Sequence, residues 1–144
     1  MGRHVLVAVD GSAESEAALE YALEDLAPAR VTLLHVVNPT GHVGGSDEDY
    51  FDIAAYHTHA EQCRERGEQL LATCRETAAA HDVAVETRLE TGRPAREILD
   101  AADETDVDHI VVGSRGRSGL GRVLFGSVAE TVTRRASVPV TVVR

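Results

Sequence analysis

Lysine and tryptophan are missing from this sequence altogether, and the remaining aromatic residues make up only 3% of its 144 positions. A core must therefore be assembled from Val, Leu, Ile and Ala within a hydrophobic content of 43%, and no row of aromatic rings is available for stacking nucleic-acid bases. Every one of the 14 basic residues is Arg, set against 24 acids for a net charge of −10. So acidic a surface repels a phosphate backbone and excludes generic nucleic-acid binding. No apolar run approaches the roughly 18 residues of a membrane span. Residues 1–10 read as a strand rather than as a basic-then-apolar leader, so a soluble, cytoplasmic protein with no membrane partner is expected.

Cysteine is also scarce. Cys63 and Cys74 lie in one expected helix, on a shared face but about 16 Å apart along it, too far to bridge. There is no CxxC and no His–Cys cluster, so no metal-ligating set is assigned. His57 and His59 stand two apart on a helix and point to different faces. Two free, buried thiols are the expectation.

What is present is a regular alternation. HVLVAVD at residues 4–10 is a continuous apolar run of the kind buried on both faces of a sheet. A helix follows over residues 14–27, with Leu19, Ala22, Leu23 and Leu26 at helical spacing and Pro28 closing it. VTLLHVV at 31–37 is a second strand, and residues 38–49 have the Pro, Gly and acid content of a loop. Most of 50–81 is expected to be one long helix. VAVETRLE at 83–90 alternates as a strand nearer an edge does. Pro94 then opens a third helix, residues 108–113 form a fourth strand, 128–136 a fourth helix and 138–143 a fifth strand. No repeat or change of composition divides the chain, so residues 1–144 are read as one domain. The order implies an α/β fold: a single doubly wound, five-stranded parallel sheet sandwiched by about four helices, Rossmann-like, with a ligand crevice at the carboxyl ends of the strands.

Three segments converge there: Asp10-Gly11-Ser12, Val36-Val37-Asn38, and GSRGRSGLGRVLFGS at residues 113–127. The last contains the spacing G-x2-G-x9-G-S through Gly113, Gly116, Gly126 and Ser127. Glycines let backbone N–H groups approach an oxyanion, and the following helix adds its positive end. Positive charge gathers in the same region: residues 109–144 hold six Arg and one acid, +5, and the residues before them eight Arg and 23 acids, −15. The segment lacks the lysine of a P-loop and the third glycine of a dinucleotide fingerprint. Arg115, Arg117, Arg122, backbone dipoles and a metal ion would have to neutralise a phosphate instead. Ser127 and Glu130 also form S-x-x-E, a capping box that would simply start a helix. His35 reads as a core or strand-end histidine rather than a catalyst.

VLVAVDGS, TLLHVVNP and IVVGSRGRSGLGRVLFGSVAETVTRRASVPVTVVR resemble the universal stress protein family over the whole length of the chain, most specifically in the last block. The resemblance implies the family's ATP-binding subclass, on a fold like that of the adenine nucleotide alpha hydrolases. It places Asp10 by the ribose and adenine, the Val36 backbone at the adenine edge and Gly113 at the ribose. Gly116, Gly126, Ser127 and Val128 would hold the phosphates of ATP, or of ADP or AMP, with Mg²⁺ or Mn²⁺. The nucleotide-binding set is thus Asp10, Gly11, Ser12, Val36, Val112, Gly113, Gly116, Gly126, Ser127 and Val128, and no catalytic residue is assigned. The resemblance further implies a homodimer through Val138 to Val143.

An ATP-dependent stress-response or signalling module fits these residues best. The alternatives are an ATP-hydrolysing or adenylating enzyme, for which no base or nucleophile has an evident catalytic partner, and a nucleotide-independent dimeric scaffold. The acid excess without lysine points to adaptation to high salt, where screening relieves self-repulsion. Thermal stability is then expected to rise from low to molar KCl, and a flat or falling melting temperature in that titration refutes the idea.

Overall fold

The computed structural model describes residues 2–38, 53–114 and 126–144. Its elements run β1 (His4–Ala8), α1 (Ala13–Glu24), β2 (Arg30–Val37), α2 (Ile53–Ala79), β3 (Ala84–Thr91), α3 (Pro94–Glu104), β4 (His109–Gly113), α4 (Ser127–Arg135) and β5 (Val140–Val143). The five strands pair in parallel in the order β3-β2-β1-β4-β5. Connections leaving β1 and β2 run toward one edge, and the one leaving β4 runs toward the other. The reversal falls between β1 and β4, so the crevice of a doubly wound sheet lies beyond their carboxyl ends.

Period-two alternation splits each central strand between two cores. Val5, Val7, Val9, Val31, Leu33 and Val111 pack under α1 and α2, with Leu19, Leu23, Leu71 and Ala78. Leu6, Leu34, Ile110 and Val112 face α3 and α4, with Ile98, Ala101, Ala129 and Val132. Burial on both sides is why these strands read as unbroken apolar runs, whereas β3, at an edge, alternates in exposure only over its first half and is half-buried from Thr87 to Glu90.

Several boundaries differ from the expected ones. The first helix ends at Glu24, not at residue 27, because Ala27 has already turned the chain at φ 42° before Pro28 is reached. The fifth strand starts at Val140, two residues late. Pro139 has no N–H for a ladder, although its carbonyl accepts from the Ile110 N–H at 3.0 Å. The capping box is not formed. Gly126 is the N-cap of α4 with no side-chain cap, Ser127 is the first helical residue, and Glu130 pairs with Arg134 instead. Of the two cysteines, Cys74 is buried, with its thiol pushed up chiefly by burial and then by Glu16, while Cys63 is only half-buried, beside His59.

Helix α2 buries one stripe, Gly67, Leu71, Cys74 and Ala78. Its glycine sits mid-helix for a steric reason: a Cβ there would come within 2.7 Å of His35 Cδ2 and 2.9 Å of Leu89 Cδ1. The helix therefore lies directly on β2.

At the opposite end of the sheet two histidines bond across strands. His4 Nε2 lies 2.7 Å from Thr32 Oγ1, and His109 Nε2 lies 2.7 Å from Thr141 Oγ1. Both rings are held below the ordinary value of 6.5, first by burial and then by the charge of Arg30 on His4 and of Arg3 on His109; Glu86, Asp108 and the Thr105 backbone pull His4 the other way. A lowered histidine value means the unfolded chain binds protons first. Stability is therefore full above 6.5 and falls as pH drops below it, until the folded rings protonate too. Chemical denaturation between about pH 7.5 and 5.5 should show this loss, and His4→Asn with His109→Asn should flatten it. An equally steep loss in the double variant rules these rings out as the cause.

Candidate functional site

β1 ends in a turn built by its own side chains. Asp10 Oδ1 accepts from the Ser12 N–H at 2.9 Å, and the Asp10 N–H donates to Ser15 Oγ at 3.2 Å. Gly11 takes φ 84°, with nothing within 4 Å of where its Cβ would be. Backbone conformation, not space, selects glycine here, and the residue borders open volume. Ser12 caps α1, its Oγ accepting from the Ser15 N–H at 3.1 Å, which explains the helix start and also commits this hydroxyl.

β2 continues past the end of β1. Val9 donates to the Leu34 carbonyl at 2.9 Å, and the Val37 carbonyl accepts from Gly92 on the other side at 2.9 Å. Backbone groups alternate sides along a parallel strand, so the N–H and C=O of Val36 point toward the gap that β1 has left. That is the orientation needed to read a flat donor–acceptor edge.

β4 supplies the third segment. The side chain of Val112 is only 3% exposed and belongs to the core under α3 and α4, so its part in a site is limited to its backbone. Gly113 has a packing duty: a Cβ there would lie 2.9 Å from the carbonyl carbon of Glu14 and 2.9 Å from its Cβ. The first turn of α1 rests on Gly113, which ties the β1 turn to the end of β4. Ser114 then donates to the Val143 carbonyl at 2.7 Å, and its own carbonyl accepts from the Gly126 N–H. The ends of the glycine-rich segment are thereby pinned together beside β5. Gly116, Arg115, Arg117 and Arg122 lie outside the described residues, as does most of the expected loop at 38–49.

From Gly126 the chain enters α4. Its φ of −70° and ψ of 161° suit any residue, so backbone conformation does not require a glycine here. Ser127 is exposed and Val128 half-buried at the helix start, where backbone N–H groups and the helix dipole favour an anion.

The structure adds a cavity of about 290 Å³ that the sequence reading lacks. Asp10, Gly11 and His35 line it from the strand ends, and Arg66, Gly67, Gln69, Leu70 and Thr73 from α2. Arg66, Gln69 and Thr73, spaced three and four apart, form a polar strip beside the buried stripe of α2, a signal present in the sequence but indistinguishable from an ordinary solvated face. His35 is 8% exposed, with Nδ1 2.7 Å from the Val9 carbonyl. Among the described residues no three His, Cys, Asp or Glu side chains gather as metal ligands, and no helix is long and apolar enough to cross a membrane.

Comparison with known proteins places the chain in context. The family model described as the universal stress protein family matches residues 1–144. Universal stress protein YxiE of Bacillus subtilis is 37% identical over 153 aligned positions, covering 100% of both chains. The structure of UspA from Lactobacillus plantarum superposes with a TM-score of 0.82 at 25% identity, over 99% of this chain and 97% of that one. An Arabidopsis thaliana family member solved with AMP bound aligns at TM-score 0.69 and 22% identity, over 98% of this chain and 90% of that one. A universal stress protein in complex with cAMP aligns at TM-score 0.65 and 24% identity, over 99% and 97%.

Proposed function

This chain belongs to the universal stress protein family, and we propose that it is an ATP-binding member whose bound nucleotide sets its shape or partners in a stress response. One observation supports the reading: strand order reverses between β1, which ends at the Asp10-Gly11-Ser12 turn beside Val36 of β2, and β4, the strand that precedes α4. AMP and cAMP in two structural neighbours support an adenine nucleotide as the ligand.

The residues present fit such a group. Gly126, the N-cap of α4, brings no side chain to that helix start, so Gly126, Ser127 and Val128 would hold phosphate oxygens, with Gly116 contributing from the glycine-rich segment. Asp10 and Gly113 would flank the ribose, and Val36 the base. Mg²⁺ or Mn²⁺ would come with the triphosphate and offset its charge. Binding rather than turnover is favoured because the Asp10 carboxylate already organises a turn and the Ser114 side chain is buried at 3% exposure, leaving neither placed as a base or nucleophile.

Calorimetric titration with MgATP tests this. Gly116→Val and Gly126→Val should lose binding, since a branched side chain would occupy the phosphate's place. Ser127→Ala should weaken it by roughly 1.5–3 kcal/mol, the worth of a hydrogen bond to a charged group. Because Ser127 is not the helix cap, its melting temperature should stay close to that of the parent. Binding unchanged in both glycine variants would sink the phosphate cradle.

We also propose a two-fold dimer through Val138 to Val143. β5 is an edge strand, half-buried along its whole length, and a second copy would pair the groups that β4 does not. Deletion of residues 139–144 should give a monomer or an aggregate. A truncated protein that sediments as a clean dimer would show that the interface lies elsewhere.

A further inference from the structure

We infer that His35 is a specificity-determining residue for the base: its Nε2 accepts a hydrogen bond from the exocyclic amino group of an aminopurine seated between β2 and α2. The inference rests on the nucleotide reading above and adds to it the group that separates an amino base from an oxo base.

Three of the sheet's strands carry a histidine, and two of these rings are satisfied by the fold. His4 and His109 each engage Nε2 with a threonine hydroxyl on the neighbouring strand, at 2.7 Å. His35 does not. Its Nδ1 lies 2.7 Å from the Val9 carbonyl oxygen. A carbonyl only accepts, so Nδ1 carries the hydrogen of that bond, which leaves Nε2 as the ring's acceptor. Nε2 faces α2 at Gly67, 3.4 Å from where that residue's Cβ would stand, and finds no partner among the described residues. The ring as a whole is 8% exposed, and His35 is one of the residues lining the cavity of about 290 Å³. No buried side-chain nitrogen or oxygen among the described residues lacks a partner, so Nε2 is an acceptor still open to solvent, which a ligand N–H can meet in place of water.

The cavity selects the kind of ligand. Its volume, about 290 Å³, is at the small end of ligand pockets and suits a flat base better than a base, sugar and triphosphate together. Leu70 gives it an apolar wall and Asp10 a carboxylate at the strand end, where a phosphate would be repelled. Val36, the next residue along β2, turns its backbone N–H and C=O toward the gap past the end of β1. An exocyclic amino group has two hydrogens, one for the Val36 carbonyl and one for His35 Nε2. An oxo group in the same place has none and would set its lone pairs against both.

Calorimetry of the full-length protein with MgATP and MgITP, which carries a 6-oxo base, decides between these possibilities. The parent should prefer ATP. His35→Asn keeps an amide nitrogen to donate to the Val9 carbonyl but removes Nε2, and should cut that preference roughly tenfold. Thr73→Phe, made from the exposed side of α2, fills the cavity without touching His35 and should weaken both nucleotides, which keeps the test open if the histidine variant fails to fold. An unchanged ATP-to-ITP ratio in His35→Asn, or unchanged ATP affinity in Thr73→Phe, overturns the inference and leaves the nucleotide reading standing. A parent protein that binds neither nucleotide overturns both.

Discussion

The sheet is covered on both faces, and the other features of the molecule follow from that burial. Val5, Leu6 and Val7 are consecutive residues, all at 0% exposure, yet they belong to two different cores. A strand buried on both sides can carry a polar side chain only beside a partner for it, as His4 has in Thr32. Chemistry is therefore displaced to the strand ends. Because the winding reverses between β1 and β4, the ends of those two strands are not roofed by a crossover, and the first turn of α1 rests there on Gly113 at the end of β4.

Two glycines convert that arrangement into fixed geometry. Gly113 lets the first turn of α1 lie on the end of β4, so the Ser12 cap and the outgoing chain at Ser114 are held by packing before any ligand arrives. Gly67 does the same for α2 on β2 and leaves the His35 ring edge facing the helix. A glycine inside a helix costs about 1 kcal/mol relative to alanine, whereas forcing extra atoms into a packed contact costs roughly 1–3 kcal/mol. The neighbour at Gly67 is a ring pinned to the Val9 carbonyl, so the steric term outweighs helix propensity and the glycine is the more stable choice.

Electrostatics separates the two helix starts that border the crevice. The amino end of α1 is answered by the Ser12 hydroxyl and by Glu14 and Glu16 in its first turn. The amino end of α4 has no side-chain cap, and its first-turn acid, Glu130, is drawn to Arg134. Of these two, α4 keeps its helix-start N–H groups without a side-chain acceptor from the cap position, within the part of the chain that carries +5 against an overall −10. An anion has a reason to choose that end.

The architecture was legible in the sequence because the relevant signals are local. Apolar runs such as HVLVAVD, the stripe through Leu71, Cys74 and Ala78, and Pro94 at a helix start each follow from the period or dihedral of the element that contains them, and each element formed where it was expected. Boundaries were less legible where one residue decides them: Ala27 turning left-handed, or Pro139 withholding a donor. The places of Asp10, Gly11 and Val36 at strand ends were legible from the ends of apolar runs, whereas the packing duty of Gly113 to Glu14 was not. The cavity wall was not found at all. Arg66, Gln69 and Thr73 stand 31 to 38 residues from His35, and nothing in either stretch encodes the other. What the sequence determined by itself was periodicity, which short-range sterics and burial enforce residue by residue. Which face of α2 meets which end of β2, and so which histidine nitrogen is left facing a cavity, was decided only by tertiary packing, since it depends on how closely a glycine lets two distant segments approach.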